Sequence, residues 1–212
     1  MIQIFQHTFG PFQENTYLLA NENKQTVIID PGMYFPEENI VLQETLEKNQ
    51  LQPTQLWLTH AHIDHVMGMK YIHDQFQLEP KLHKEDLVVL ENAAASGARF
   101  GLKFNPYDGE LHFVTDQDKL QLGEDEFSIF FVPGHSPGSI GFYNEKQKFI
   151  IGGDVLFKNS IGRTDLPGGD TQTLLNSIRT KLFTLPDDVV VYPGHGEPTT
   201  IGYEKTNNPF LK

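Results

Sequence analysis

The segment Leu58-Thr59-His60-Ala61-His62-Ile63-Asp64-His65-Val66-Met67-Gly68 places three histidines and an aspartate within six positions. It lies directly behind an apolar, β-like run. Imidazole combined with carboxylate is a donor set for zinc, iron and manganese. Three other apolar runs end in the same way: residues 127–134 lead into His135, 149–153 into Asp154 and 189–194 into His195. Rigid strands aim their end loops at one place, and a metal site needs that rigidity. In open α/β sheets, ligands gather outside the carboxyl ends of the strands, which is the analogy that joins the four segments. Pro133-Gly134 and Pro193-Gly194 are turns that fix where the next imidazole points. Taken singly, each residue has a plainer reading: a surface histidine, a helix-capping Asp64, a turn residue at Asp154. Taken together, five of the nine histidines fall in these segments, which argues for metal. His60 and His62 alternate as extended-chain neighbours do, so both reach one ion only if the chain bends between them.

The composition narrows the class. At 212 residues with 38% hydrophobic content and 16 phenylalanines, the chain suits one domain, 1–212, with a substantial core. There is no cysteine, so disulfides, thiolate ligands and a thiol nucleophile are excluded, and a cytoplasmic location is the expectation. A net charge of −12 argues against nucleic acid, which needs a cationic surface. The N-terminal residues lack a basic stretch followed by an apolar one, so no signal peptide is read there. The apolar runs are too short to span a membrane.

Along the chain, strands are expected within 2–9, 15–21, 26–32, 55–60 and 80–84, then within 119–123, 126–134, 139–144, 148–154 and 188–194. Residues 37–49 read as a helix through Ile40, Val41, Leu42 and Leu46, and 171–185 as another. Residues 64–77 read as one helix with Asp64 in the N-cap position. Residues 85–101 begin helical and dissolve into a loop running to Gly109. Strand clusters broken by helices in each half predict two sheets with helices outside them.

Thr59-His60-Ala61-His62-Ile63-Asp64-His65, followed by Gly68, resembles the H-x-H-x-D-H signature of the metallo-β-lactamase fold superfamily. His135, Asp154 and His195 follow in that superfamily's order, and Asp30 in Ile28-Ile29-Asp30-Pro31-Gly32 matches its early aspartate motif. The fold this implies is α/β (α+β), a four-layered αββα sandwich with metals at one edge. It also implies two divalent ions. One would be held by His60, His62 and His135, the other by Asp64, His65 and His195, with Asp154 bridging. Asp64 and Asp154 are then catalytic residues as well. Zinc is the expected metal, with iron its rival. Asp30 reads first as a turn residue; if it acts, it orients a ligand histidine.

The stretch Gly152–Asp170 and the ending Asn208-Pro209-Phe210-Leu211 resemble the small, single-domain proteins grouped with glyoxalase II, the hydroxyacylglutathione hydrolases. The implied activity is hydrolysis of S-D-lactoylglutathione or a related small-molecule thioester. Arg163, nine residues after Asp154, stands where larger glyoxalase II enzymes carry a lysine that holds glutathione. It either binds a substrate carboxylate or pairs with Asp165 or Asp170. A tyrosine of those enzymes is Asp165 here. The chain ends 17 residues after His195, short of their C-terminal helical extension, which leaves glutathione recognition weakly supported. Arg99, Phe100, Phe104 and Tyr107 are candidate pocket-wall residues, with ordinary packing the plainer reading. The main alternative is a persulfide dioxygenase, which resembles this chain and uses one iron on the counterparts of His60, His135 and Asp154. A metal-dependent nuclease and a non-catalytic binding module are further rivals. The sequence gives no oligomeric state.

Overall fold

A computed structural model describes residues 1–103 and 105–212. The first sheet holds β1 (Gln3–Phe9), β2 (Glu14–Ala20), β3 (Gln25–Ile29), β4 (Gln52–Trp57), β5 (Pro80–His83) and β6 (His112–Val114), in that spatial order. Its first three strands are antiparallel and β3 to β6 run parallel. The second sheet runs β7 (Lys119–Leu122), β8 (Asp125–Phe131), β9 (Ile140–Asn144), β10 (Phe149–Gly153), then β13 (Val190–Pro193) and β14 (Thr199–Thr200). A small hairpin of β11 (Leu156–Phe157) and β12 (Ser160–Ile161) stands apart. The helices are α1 (Pro36–Asn49), α2 (Ile63–Val66), α3 (Met69–Phe76), α4 (Leu87–Glu91), α5 (Ala93–Arg99), α6 (Thr171–Thr180) and α7 (Ile201–Asn207).

Period-two alternation sorts the strand side chains into layers. In β2 and β3, Tyr17, Leu19, Val27 and Ile29 face the second sheet, where they meet Phe127, Phe142 and Ile151 around the buried Trp57. Their neighbours Leu18 and Ile28 face the other way, onto Leu42, Leu46, Met69 and Ile72 of α1 and α3. On the far side, Ile150 and Val191 pack against Leu174, Ile178 and Ile201 of α6 and α7. The layers are therefore helix, sheet, sheet, helix, as expected. The central strands are covered on both faces, which is why β2, β9 and β10 are buried along their whole length, whereas the outer strands β1 and β7 keep exposed positions. No helix among the described residues is long and apolar enough to cross a membrane.

Two local expectations are corrected. The stretch after His62 is two helices, not one. His62 is the N-cap of α2 and Asp64 lies inside its first turn. The break follows Met67, where the Gly68 N–H donates to Pro31 O at 2.7 Å and ties the turn to the end of β3. Asp64 is thus freed from capping, and its carboxylate faces His195 instead. The stretch expected to dissolve into a loop stays helical through Arg99, because three successive alanines favour α5 despite Gly97. The short strands β6, β11, β12 and β14 and the helix α7 carry too few residues to leave a periodic signal in the sequence.

Candidate metal centre

The strand pairings bring the four loops that carry the candidate ligands together. β3 and β4 are parallel with Ile29 beside Trp57, so Asp30 and Thr59 leave the sheet side by side. β10 and β13 are parallel with Gly153 beside Pro193, so Asp154 and His195 leave the second sheet together. Two glycines permit the closeness. A side chain at Gly194 would put its Cβ 2.1 Å from Asp154 Oδ1 and 2.7 Å from His65 Cε1. One at Gly134, where φ is +128°, would strike the backbone nitrogen of Leu174 at 2.3 Å and separate the His135 loop from α6.

His135 Nε2 lies 2.8 Å from His62 Nδ1 and 3.2 Å from His60 Nε2. His135 uses its other nitrogen to donate to Arg163 O at 2.8 Å, and His60 Nδ1 lies 3.1 Å from the Thr59 hydroxyl. The hydroxyl itself donates to Asp30 Oδ2 at 2.5 Å, so it accepts from His60. In their neutral forms both rings therefore turn lone pairs toward the same point. The His60 and His62 rings stand edge to face with centroids 4.9 Å apart, and their inner nitrogens converge with that of His135. Donor atoms of a tetrahedral ion stand about 3.3 Å apart at ordinary zinc–nitrogen lengths, close to this spacing.

The second group is Asp64, His65 and His195, whose donor atoms also converge. His195 Nε2 is 3.1 Å from Asp64 Oδ2 and 3.4 Å from Asp154 Oδ2. Asp154 reaches both groups: Oδ2 is 3.6 Å from His135 Nε2, and Oδ1 is 3.5 Å from His65 Nε2. His65 Nε2 and Asp154 Oδ1 are buried with no hydrogen-bond partner. Buried polar atoms are rarely left so, and two of them facing one point fit a cation between them. The donor set therefore fits metal.

Asp30 sits beside His60 and His65 but is spent on the protein. Its carboxylate accepts the Thr59 N–H at 2.7 Å, the Thr59 hydroxyl and His65 Nδ1 at 3.0 Å. It holds His65 rather than completing a ligand set. His195 Nδ1 is fixed in the same way by Gln13 O at 3.1 Å.

The two groups differ electrostatically. Burial pushes the His60 imidazole well below its usual range, and the neighbouring histidines push it further. Burial and then His135 bring His62 down to about 3. In the other group burial also opposes charge, but Asp64 and Asp154 outweigh it and raise His65 well above its ordinary value. Asp154 and Asp64 likewise overcome burial and hold His195 up to about 10. Burial would raise Asp154, but His65, His195 and His135 outweigh it and hold it well below the carboxylate range.

Several supporting residues escape a reading of the sequence. Asp86, ahead of α4, accepts the Ala61 N–H and the Gly138 N–H, both at 2.6 Å, and so ties the first ligand loop to the His135 loop. Asn15 donates through Nδ2 to Pro193 O and Gly196 O, and Tyr17 OH donates to Pro193 O, on either side of His195. Glu14 is buried 3.8 Å from His65 Nδ1. The signal available was polar Glu14-Asn15 opening an otherwise apolar strand. Asp86 gave none beyond an acidic residue at a helix start.

The centre opens into a cavity of about 490 Å³, walled by Phe12, Phe100 and Phe157 and reached by Arg163. Arg163 is also forked onto Asp165, at 2.7 and 2.8 Å. Phe100 and Arg99 line cavities at the site. Tyr107 does not: it packs on His73 and donates to Glu110 O at 2.7 Å. Phe104 lies outside the described residues.

The metallo-beta-lactamase superfamily profile matches residues 9–195, and the chain belongs to that superfamily. Among curated relatives, "Hydroxyacylglutathione hydrolase GloC" of Haemophilus influenzae is 40% identical over 94% of this chain and 93% of its own. Among solved structures, BLEG-1, a B3 metallo-beta-lactamase, is 40% identical with a TM-score of 0.90, covering 99% of this chain and 100% of that one. TTHA1623 in a di-iron-bound form is 37% identical with a TM-score of 0.88, covering 98% and 100%. The chain is a metallo-hydrolase of this superfamily.

Proposed function

We propose that this protein is a glyoxalase II-like thioesterase with two metal positions. One is held by His60, His62 and His135 and the other by Asp64, His65 and His195, with Asp154 shared. The observation that carries the reading is the place of Asp154, whose two oxygens lie 3.4 to 3.6 Å from His135, His195 and His65. The mononuclear dioxygenase, with one ion on His60, His135 and Asp154, is the alternative. Such enzymes resemble this chain at Asp64, His65 and His195 too, so the donor set does not separate the two readings, and the Leu166-Pro167-Gly168-Gly169-Asp170 loop is what favours the hydrolase. Divalent ions bound there supply Lewis acidity, polarising a carbonyl and making water acidic enough to react near neutral pH. The chain's own residues do the rest. Asp30, Gln13 and Arg163 O engage the outward nitrogens of His65, His195 and His135 and so direct their inner nitrogens inward. Asp64, whose side chain lines the cavity, is the carboxylate proposed to take the proton of the attacking water and return it to the departing thiolate. The products are a carboxylic acid and a thiol. The all-His/Asp set suits zinc, and iron is the alternative that the di-iron relative brings forward.

The test pairs metal content with activity. Protein produced without added ions is analysed for metal, then assayed for thiol release from S-D-lactoylglutathione, for β-lactam opening and for oxygen uptake with glutathione persulfide. Two metals with thiol release are expected. One iron per chain, oxygen uptake and no thiol release would overturn the reading. Asp154→Asn is expected to lose metal from both positions. A variant that keeps two ions and full turnover would refute the shared role.

A further inference from the structure

A second cavity of about 430 Å³ adjoins the metal centre, and nothing in the proposed chemistry uses it. It is continuous with the catalytic cavity, because His62, Ile63, Ser96, Phe100 and Leu166 line both. Beyond that shared rim its walls are largely apolar: Val88 and Val89 of α4, Ala93 and Ala95 of α5, and Pro167. Arg99, at the exposed end of α5, is the one lysine, arginine, aspartate or glutamate among its described lining residues. One wall is clipped in place by a turn in which the Gly169 N–H donates to Leu166 O at 2.9 Å. The opposite wall is helical. The space is thus preformed, and its size suits part of a small ligand. Arg163 and Ser160, by contrast, line only the catalytic cavity.

We infer that the apolar cavity is an acyl subsite and that the substrate is a thioester whose acyl group is an extended, uncharged hydrocarbon chain larger than lactoyl. This deepens the thioesterase reading and rests on it. With the scissile carbonyl at the metal centre, the two arms of a thioester leave in different directions. The apolar arm fits the Val88, Ala95 and Leu166 walls, while a polar or anionic thiol fits the side reached by Arg163 and Ser160. Each methylene moved from water onto such walls favours binding, so kcat/KM is expected to climb roughly threefold per added methylene until the cavity is full.

The test is a series of acetyl-, butyryl-, hexanoyl- and octanoylglutathione, with octanoate and acetate binding to the metal-loaded protein measured by calorimetry. Two variants act on the wall: Ala95→Trp fills the cavity, and Val88→Asp places a charge in it. Both positions are solvent-exposed, Val88 at 55%, so the fold should tolerate them. The expected result is a rising series that Ala95→Trp flattens, with octanoylglutathione losing at least tenfold, and octanoate outbinding acetate in the native protein alone. Thioesters cleaved with no dependence on chain length would overturn the subsite and leave the thioesterase reading standing. Octanoate preference abolished by Ala95→Trp, without cleavage of any thioester, would uphold the apolar subsite and overturn the thioesterase reading. Neither preference nor cleavage would overturn both.

Discussion

Asp30 Oδ2 lies 3.0 Å from His65 Nδ1, and both side chains are buried. The contact fixes which nitrogen of His65 faces inward. It also fixes the ring, because Asp30 is itself held by two bonds from Thr59. Asp30 has φ +50°, in the left-handed region that asparagine tolerates well. Asp30→Asn should therefore fold while weakening the charge-assisted hold on the imidazole. Metal affinity at the Asp64/His65/His195 position is expected to fall about 10- to 100-fold, with the His60/His62/His135 position less affected. Stepwise titration with a competing chelator reads the two positions separately. Equal loss at both would show that Asp30 acts on the fold rather than on His65.

Proton release on metal binding follows from the shifted histidine. His195 is held up to about 10 by Asp154 and Asp64, so at pH 7 the metal-free protein carries a proton on that imidazole. A metal must displace it. Apparent affinity at this position should rise with pH, because fewer protons compete, and should weaken as pH falls. Calorimetry at pH 7 in buffers of different ionisation enthalpy should show about one proton or more released per ion at this position. The first group is different: burial keeps His60 and His62 neutral, so filling it should release little. Equal proton release at both positions would contradict the electrostatic contrast between them.

The candidate ligand positions could be proposed from the sequence because each follows an apolar run, and the donor chemistry of a residue stays in its own side chain. The layers were legible because the period-two pattern of β2 and β3 and the helical spacing of Leu42 and Leu46 are local. What binds the site together was not. Asp86 matters through amide groups 25 and 52 residues away, and Asn15 through carbonyls 178 and 181 residues away. Such partners exist only after the chain has folded. The reading of Asp64 as a cap failed for a similar reason, since His62 takes the cap position.

Arg163 offers a choice that kinetics can read. Its guanidinium is forked onto Asp165, and both side chains are more than half exposed. An exposed pair of this kind holds little stability, so the fork can be given up to an anionic substrate. Arg163→Ala should raise KM for an anionic thioester about 3- to 10-fold with a smaller change in kcat. Asp165→Ala frees the guanidinium and should lower KM. Unchanged kinetics in both variants would assign Arg163 to stiffening its own loop.

Asp86 separates support of the site from chemistry. Among the described residues it hydrogen-bonds to no candidate ligand side chain, yet it accepts one amide from the His60/His62 loop and one from the loop that follows His135. Burial raises its carboxyl, and the bonds from Ser136, Gly138 and Ala61 oppose that rise. Asp86→Ala would leave two buried N–H groups without an acceptor, at a cost of about 2–4 kcal/mol in stability. Asp86→Asn retains an acceptor oxygen for one of them and should cost less. Because Ala61 lies between His60 and His62, the same change should loosen the first metal position before the second. Thermal unfolding of the metal-free and metal-loaded proteins distinguishes the effects. A drop in Tm that metal fully restores would show that Asp86 only stabilises the fold. A variant with near-native Tm that binds its first ion weakly would show that Asp86 sets the spacing of His60, His62 and His135.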